Sequence, residues 1–227
     1  MTKNTWPGKF IVFEGLDGSN SIYYAQQLDG WLKEKKKGTT HLTREPSDGP
    51  VGRDIRLYLN GRLAIDKKTI AALFVADRMD HIYRAGDGIL ERLHRGEYVI
   101  CDRYALSTYA YQPLEDEEVR PEWLFELHKY CIQPDLTFFV DTPVEQCAQK
   151  YYAEKLQGAF HSALPGLGLD QEDIDRTKQK FAAIRNNFLA MIETLQKKGE
   201  TIEIITKNTP DAIEREIRRI VEKVFGL

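Results

Sequence analysis

Five short, mostly apolar runs recur along the chain, and none shows the strict alternation of a strand with one exposed face. Runs of this kind are typical of strands that are covered on both faces. Longer segments of helical periodicity separate them, and strands that alternate with helices predict a parallel sheet with right-handed crossovers. The predicted strands are Phe10–Glu14, His41–Arg44, Tyr98–Asp102, Leu136–Asp141 and Ile202–Thr206.

The other segments fit a single domain over residues 1–227, a length that suits one large domain. One long helix is predicted from Asp170 to Lys198. The preceding stretch, Tyr151 to Leu169, is richer in glycine and small residues, and we expect it to form a flexible flap. The pattern as a whole predicts an α/β fold with helices on both faces of the sheet.

Composition narrows the classes of function. The net charge of -3 and the pI of about 6.0 argue against a nucleic-acid-binding protein, which would usually be basic. No apolar run approaches the roughly 18 residues needed to cross a bilayer, and the N-terminal stretch has no apolar core typical of a secretory signal. Neither a membrane nor a nucleic-acid partner is therefore expected. The three cysteines form no CxxC pair, so we expect a reducing, cytoplasmic location.

Polar and glycine-rich stretches follow the predicted strand ends. They are Gly15–Ser19, Arg44–Pro46 and Asp102–Gln112. In an open parallel sheet, ligands bind beyond the carboxyl ends of the strands. The three stretches are therefore expected to meet at one site.

The first of these stretches begins the sequence GLDGSNSI, residues 15–22, which is close to the phosphate-binding pattern G-x-x-x-x-G-K-[ST]. Such a loop uses glycines to wrap its N–H groups round a phosphate, a lysine for the β and γ phosphates, and a hydroxyl for magnesium. Gly15 opens the pattern, and Gly18 and Ser19 lie inside it. The last three positions instead hold Asn20, Ser21 and Ile22. Taken alone, the stretch fits a degenerate phosphate-binding loop and an ordinary strand-to-helix turn equally well.

Five stretches together resemble thymidylate kinase: FIVFEGLDGS from residue 10, LTREP from 42, ALFVADRMDH from 72, VICDRYALSTYAYQ from 99 and PDLTFFVDTPVE from 134. The similarity runs from Phe10 to about Asp141, and more weakly from Asp170 to Ile192. It implies a three-layer P-loop nucleoside-monophosphate-kinase-like fold with a flexible lid, strand order 2-3-1-4-5 and a homodimer. It also implies the phosphorylation of dTMP to dTDP with ATP and Mg²⁺.

The resemblance assigns roles to individual residues of the dTMP site. Phe74 would stack on the thymine and Arg78 would bond its carbonyl edge, while Arg103 and Arg56 would hold the acceptor phosphate. Tyr111 would pack against the deoxyribose. The other residues implied for this site are Asp17, Glu45, Pro46, Thr108 and Gln112, and the implied catalytic set is Asp17, Asp102 and Arg103, with Asp102 also a candidate magnesium ligand.

Each of these roles has a structural alternative. Phe74 could be core packing, Arg103 a structural ion pair, and Tyr111 and Gln112 ordinary helix residues.

The phosphate-donor side departs from the family pattern. The loop lacks its lysine and its hydroxyl, and no arginine lies between Arg120 and Arg176, where the family's lid usually has several. The acidic run Glu115–Glu118 replaces a stretch that often contains arginine, and we expect it to be a solvated face. ATP and Mg²⁺ binding are therefore in doubt, with Lys150 and Lys155 as candidate replacement cations.

Three hypotheses remain open at this stage: a pseudokinase that binds dTMP or a related pyrimidine deoxynucleotide, an active kinase with a rebuilt donor site, and a structural homodimer partner.

Overall fold

The computed structural model describes residues 1–35, 38–156, 171–207 and 209–227. Five parallel strands form its central sheet: β2 Lys9–Gly15, β3 Thr40–Arg44, β4 Tyr98–Asp102, β6 Leu136–Val140 and β7 Ile202–Ile205. Their spatial order is β3-β4-β2-β6-β7. Numbered along the chain among themselves, these strands have the order 2-3-1-4-5, as the family resemblance implied. Each predicted strand is present, with ends displaced by at most one residue.

A second, two-stranded sheet was not predicted. In it β1 (Thr2–Lys3) pairs in parallel with β5 (Ile132–Gln133). Strands of two residues are too short to leave a periodic pattern in the sequence.

Helices cover both faces of the central sheet, which makes three layers. On one face, α1 and α9 pack against Phe13, Phe138 and their neighbours. On the other face, α5 and α8 pack on Phe10, Val12 and Phe139. The helices are α1 Ser21–Glu34, α2 Pro50–Leu59, α3 Lys67–Tyr83, α4 Ile89–His94, α5 Ala105–Glu115, α6 Pro121–Leu127, α7 Val144–Leu156, α8 Gln171–Lys197 and α9 Pro210–Phe225, and a 3-10 turn spans His128–Tyr130.

The predicted flap at 151–169 begins too early. Tyr151 and Tyr152 belong to α7 and are buried. The Tyr151 ring packs edge-on against Phe181 with centroids 5.5 Å apart, and the Tyr152 hydroxyl lies 2.7 Å from Oγ1 of Thr177. These contacts with α8 continue the helix beyond the predicted start of the flap. The rest of the predicted flap, 157–169, lies outside the described residues.

Among the described residues, no helix is both long enough and apolar enough to cross a membrane.

Candidate functional site

A cavity of about 360 Å³ opens at the carboxyl ends of β2, β3 and β4. The loop after β2 forms one wall, and α2, α3 and α5 contribute the others. The sequence-predicted site residues that line it are Asp17, Gly18, Ser19, Asn20, Ser21, Ile22, Glu45, Pro46, Arg56, Phe74, Arg78, Asp102, Arg103, Thr108, Tyr111 and Gln112. Gly15, the remaining predicted residue, is not among the lining residues. The three stretches at the strand ends thus meet, and the roles of their residues remain predictions.

The loop backbone bends through two left-handed residues. Gly18 has φ +83° and Asn20 has φ +65°. A Cβ at Gly18 would lie 2.5 Å from the carbonyl oxygen of Cys147, so glycine is required there. Position 20 is the second glycine of the phosphate-binding pattern, and asparagine tolerates this conformation better than most residues with a side chain. The turn that leads into α1 is therefore retained although its sequence has changed.

The side chains at the next two positions cannot replace the residues that the loop pattern requires. Ser21 is 4% exposed. Ile22 is 37% exposed and has no oxygen. Burial raises the pKa of Asp102, although Arg103 and the Ser21 side chain oppose that rise. Oδ1 of Asp102 is buried and has no hydrogen-bond partner among the described residues.

Arg103 lies at the junction of β4 and α5, with φ +69°. A left-handed conformation costs an arginine about 1–2 kcal/mol, so its surroundings must hold it. Its N–H donates to the carbonyl of Phe13 at 2.8 Å, and its guanidinium donates to the carbonyl of Gly15 and, at 2.9 Å, to Asp17. The N–H of Asp17 in turn donates to the Tyr111 hydroxyl at 3.1 Å. Arg103 and Tyr111 thereby join the loop to α5.

Glu14, on β2, hydrogen-bonds the first turn of α5 next to this junction. Sequence reasoning did not identify it. It is 0% exposed, and its Oε1 accepts from the N–H groups of Tyr104 (2.9 Å) and Ser107 (3.1 Å). Its Oε2 accepts from the Ser107 hydroxyl at 2.5 Å. The carboxyl group therefore caps the N-terminus of α5, where helical N–H groups have no partner of their own. Burial raises the pKa of Glu14 to about 7, although Arg103 and the Ser107 bonds lower it.

Arg78, on α3, also lines the cavity and is 1% exposed. Its Nε donates to Oε2 of Glu45 at 2.8 Å, and its Nη2 lies 2.7 Å from the same oxygen as an ion pair. Its Nη1 donates to Oγ1 of Thr108 at 3.2 Å and also to Nε2 of His128. The guanidinium carbon lies 4.8 Å from the centre of the Tyr104 ring. Arg78 is thus a buried, paired arginine and also part of the cavity wall.

Two further predicted residues lie beside it. Phe74 lines the cavity and also packs against the apolar cluster of α2 and α3, so the core and ligand interpretations are both compatible with its position. Gln112 is 6% exposed, and its Oε1 has no hydrogen-bond partner among the described residues. A buried amide oxygen on a cavity wall is suited to accept a hydrogen bond from a ligand.

The loop after β3 is held from below. Arg56 donates from Nη1 to the carbonyls of Pro46 (3.0 Å) and Ser47 (2.5 Å). Ser47 donates through its N–H and its hydroxyl to the buried Asp77, at 2.7 and 2.6 Å. Both of these bonds use Nη1, so Arg56 anchors the loop after β3 through one of its three nitrogens.

The cavity wall also includes Arg44 and Ser107, to which sequence reasoning assigned no role, and Lys150. Arg44 directly precedes the predicted Glu45, so its place at a strand end was a usable signal. The Arg44 side chain is about half exposed and pairs with Asp48 at 3.5 Å. Lys150 was proposed only as a replacement cation, and it forms an i,i+4 pair with Glu154 at 3.5 Å.

The acidic run was expected to be a solvated face, and that is wrong for its first residue. Glu115 bonds Lys67 at 2.7 Å and Lys180 at 2.6 Å, and its side chain is only 12% exposed. These pairs lower the pKa of Glu115 against the effect of burial. The ion pairs with these two lysines, on α3 and α8, keep Glu115 partly buried, whereas Glu117 and Glu118 are exposed.

The fit to a bound metal is incomplete. Position 22 offers no ligand oxygen, and Oδ1 of Asp102, buried at the loop, has no hydrogen-bond partner among the described residues. The described residues contain one other group of potential ligands, Glu45, His81 and Cys101, whose ligand atoms lie within 4.8 Å of one another. Glu45 already pairs with Arg78, and His81 bonds Thr43 at 2.8 Å, so protein partners occupy this group.

A parallel sheet of this strand order, a glycine-containing loop between its first strand and α1, and arginines at its carboxyl edge define the class of P-loop nucleoside-monophosphate-kinase-like folds. The profile of the thymidylate kinase family matches residues 13–217, and the chain belongs to that family. It is 32% identical to a probable thymidylate kinase of Pyrococcus horikoshii over 191 residues, which is 82% of this chain and 83% of that one. It is 30% identical to a probable thymidylate kinase of Thermococcus gammatolerans over 225 residues, covering 95% and 97% of the two chains. The identity to a thymidylate kinase of Thermomicrobium roseum is 39% over 139 residues, 60% of this chain and 64% of that one.

Proposed function

We propose that this member of the thymidylate kinase family binds dTMP in the cavity at the sheet edge and does not transfer phosphate from ATP at a physiologically useful rate. The observation behind this proposal is the contrast between two groups of residues that line the cavity. Phe74, Arg78 and Gln112 have the groups that a pyrimidine base needs, whereas the loop has neither an ammonium at position 21 nor a hydroxyl at position 22.

The first group of residues is suited to a pyrimidine with a 4-carbonyl. Arg78 is always charged and can only donate, so it favours a carbonyl oxygen over an amino group. Oε1 of Gln112 can only accept, so it favours an N–H. Thymine has both groups side by side, at O4 and N3, and Phe74 offers an apolar surface for its ring.

The acceptor phosphate has arginines within reach. Arg103 and Arg44 line the same cavity as the residues of the first group, and guanidinium groups suit phosphate because they can bond it in bidentate fashion. Arg56 contributes mainly by holding the loop after β3 in place.

Phosphoryl transfer depends chiefly on positioning and on positive charge at the transferring group. A single arginine that supplies such charge is worth about 10³ to 10⁵ in rate. The loop lysine and the metal-binding hydroxyl are both missing, and position 21 holds a buried, uncharged serine. Losses within one unit do not multiply, yet together they are expected to leave little turnover.

The direct test is to incubate the protein with dTMP, ATP and Mg²⁺ and to quantify dTDP by chromatography. An Arg103→Ala variant controls for a contaminating kinase. A Ser21→Lys/Ile22→Thr variant restores the two missing groups of the loop pattern. We expect no dTDP above the control from the wild type, measurable dTDP from the restored loop, and dTMP binding by both in calorimetry.

The wild-type result is decisive in either direction. If dTDP forms with the wild type and disappears with Arg103→Ala, the pseudokinase proposal is wrong. If the wild type fails to bind dTMP, the binding proposal itself is wrong, and the structural-partner hypothesis gains support.

One observation favours an active kinase as the second candidate. Lys150 lines the cavity and pairs only over 3.5 Å with the partly exposed Glu154, so its ammonium could turn toward a phosphate. In that case Lys150→Met would abolish dTDP formation by the wild type, and Lys129→Met, on the exposed surface, would not.

The homodimer and the cytoplasmic location stay predictions from the family resemblance. Sedimentation equilibrium tests the first of them, with and without dTMP.

A further inference from the structure

Three of the hydrogen-bond donors of Arg78 are used inside the protein. A guanidinium has five N–H groups. Nε donates to Glu45, and the two protons of Nη1 go to Thr108 and His128. Nη2 lies 2.7 Å from Oε2 of Glu45 as part of the ion pair. Nη2 is therefore the nitrogen of Arg78 that can still donate to a ligand in the cavity, and its direction depends on the three bonds behind it.

His128 supplies one of those bonds although it does not line the cavity. It is 0% exposed and begins the 3-10 turn that follows α6. Its Nδ1 lies 2.7 Å from the carbonyl oxygen of Leu124, and a carbonyl can only accept. Nδ1 must therefore bear the proton, which leaves the lone pair of Nε2 facing Nη1 of Arg78.

The charge state of His128 agrees with this assignment. Burial, with Arg78 adding to it, lowers the pKa of His128 to about 3. A protonated ring would point an N–H at the guanidinium, so only the neutral ring fits. Tyr109 also packs on the imidazole, with ring centroids 4.8 Å apart, and limits its rotation.

We propose that His128 is a positioning residue for base selectivity: it accepts a hydrogen bond from Nη1 of Arg78 and so holds Nη2 of that arginine against the 4-position of the pyrimidine. This inference rests on the proposed function, since it needs a base next to Arg78.

The physical argument concerns what the guanidinium can do without this acceptor. A fixed donor stabilises a 4-carbonyl and faces a 4-amino group with a like donor, which disfavours cytosine. Without the His128 bond, Arg78 keeps Glu45 as its main anchor and can rotate about that contact to escape the amino group. The preference for dTMP over dCMP should then fall about tenfold, the scale of one hydrogen bond to a charged group.

Two isosteric variants separate positioning from structure. The amide of Gln at position 128 can place its oxygen where Nε2 lies, so His128→Gln keeps the acceptor for Arg78 and loses the donor to Leu124. Asn can place its NH₂ where Nδ1 lies, so His128→Asn keeps the Leu124 bond and loses the acceptor. Each variant loses one of two buried bonds, so a purely structural role would affect both similarly.

The experiment is calorimetric titration of dTMP and dCMP into the wild type and both variants, with the melting temperature of each. We expect the ratio of the two dissociation constants to stay within about threefold of wild type in His128→Gln and to fall about tenfold in His128→Asn. Equal ratios in the two variants, whether reduced or not, would overturn the inference while leaving dTMP binding by the wild type intact. A wild type that binds neither nucleotide would instead refute the proposed function, and this inference with it.

A measurement on the wild type guards against variants that do not fold. In ¹⁵N NMR of protein labelled at histidine, His128 should stay neutral with its proton on Nδ1 down to about pH 4, and its Nε2 signal should move when dTMP is added. A proton on Nε2, or titration of this ring near its ordinary pKa of 6.5, would overturn the assignment.

Discussion

Replacing Glu14 by glutamine should change the free energy of unfolding in a pH-dependent way. Relative to wild type, the variant should be more favoured at neutral pH than at acid pH. The carboxyl group is fully buried at the N-terminus of α5, and its pKa is raised from 4.5 to about 7. Because the folded pKa is above the unfolded one, the stability that this group contributes is complete below about pH 4.5 and is lost as the pH rises toward 7. Each pKa unit corresponds to about 1.4 kcal/mol, so the loss amounts to about 3 kcal/mol.

Glutamine keeps one oxygen for the N–H groups of Tyr104 and Ser107, and its NH₂ can donate to the Ser107 hydroxyl, but it does not titrate. The free energy of unfolding should be measured by urea denaturation between pH 4.5 and pH 8 for Glu14→Gln and for wild type. Subtracting the two curves cancels the other titrating groups that both proteins share. The difference, variant minus wild type, should rise by about 3 kcal/mol over this range and level off above pH 7.

The matched control is Glu117→Gln, which removes one exposed carboxyl group elsewhere on the chain. A flat difference for Glu14→Gln, or one equal to that of the control, would refute the raised pKa. A difference that fell with pH would mean that the bonds from Ser107 and the charge of Arg103 outweigh burial.

The remaining predictions concern the cavity wall. In urea denaturation, Asn20→Gly should leave the free energy of unfolding within a few tenths of a kcal/mol of wild type. Asn20→Ala should lower it by about 1 kcal/mol, because alanine resists a positive φ. Equal values for the two variants would show that the left-handed turn is not maintained. In Gly52→Ala the new Cβ would lie 2.0 Å from the carbonyl oxygen of Ser47. The variant should therefore be destabilised by about 2 kcal/mol or more and should bind dTMP more weakly in calorimetry. An unchanged affinity would show that the loop after β3 does not shape the site. Gln112→Leu should leave the melting temperature unchanged or slightly higher, because it removes an unpaired buried oxygen. It should raise the dissociation constant for dTMP at least about tenfold. Unaltered binding would contradict the base assignment.

The fold was predictable because its signals are local. A strand that is covered on both faces leaves an apolar run wherever it lies in the chain, and Tyr98–Asp102 was predicted to the residue. The strand order came from the family resemblance, since an apolar run does not specify which strand will pair with it. The acidic residue Glu115 was misjudged because its lysine partners lie 48 and 65 residues away.

The gathering of the site residues was also predictable, because strand ends meet at one edge of a parallel sheet. The supporting residues were not. Glu14 lies within a strand and His128 beyond the end of a helix, and each acquires its role only through a partner that is distant in sequence, Ser107 and Arg78 respectively. A lone polar residue in an apolar setting has no periodicity to identify that partner.

The loop after β2 separates two requirements that usually occur together. Its shape depends on the positive φ of Gly18 and Asn20 and on the close approach of Gly18 to Cys147, and none of these involves positions 21 or 22. The phosphate chemistry proposed for such a loop depends on the side chains at 21 and 22, which line the cavity. The loop can therefore keep its shape without a lysine at position 21 and a hydroxyl at position 22. For the same reason, the Ser21→Lys/Ile22→Thr variant should fold, and it tests whether the loop alone limits catalysis. If that variant folds, binds dTMP and still forms no dTDP, the deficit lies beyond the loop, in the cations that a donor phosphate must also meet.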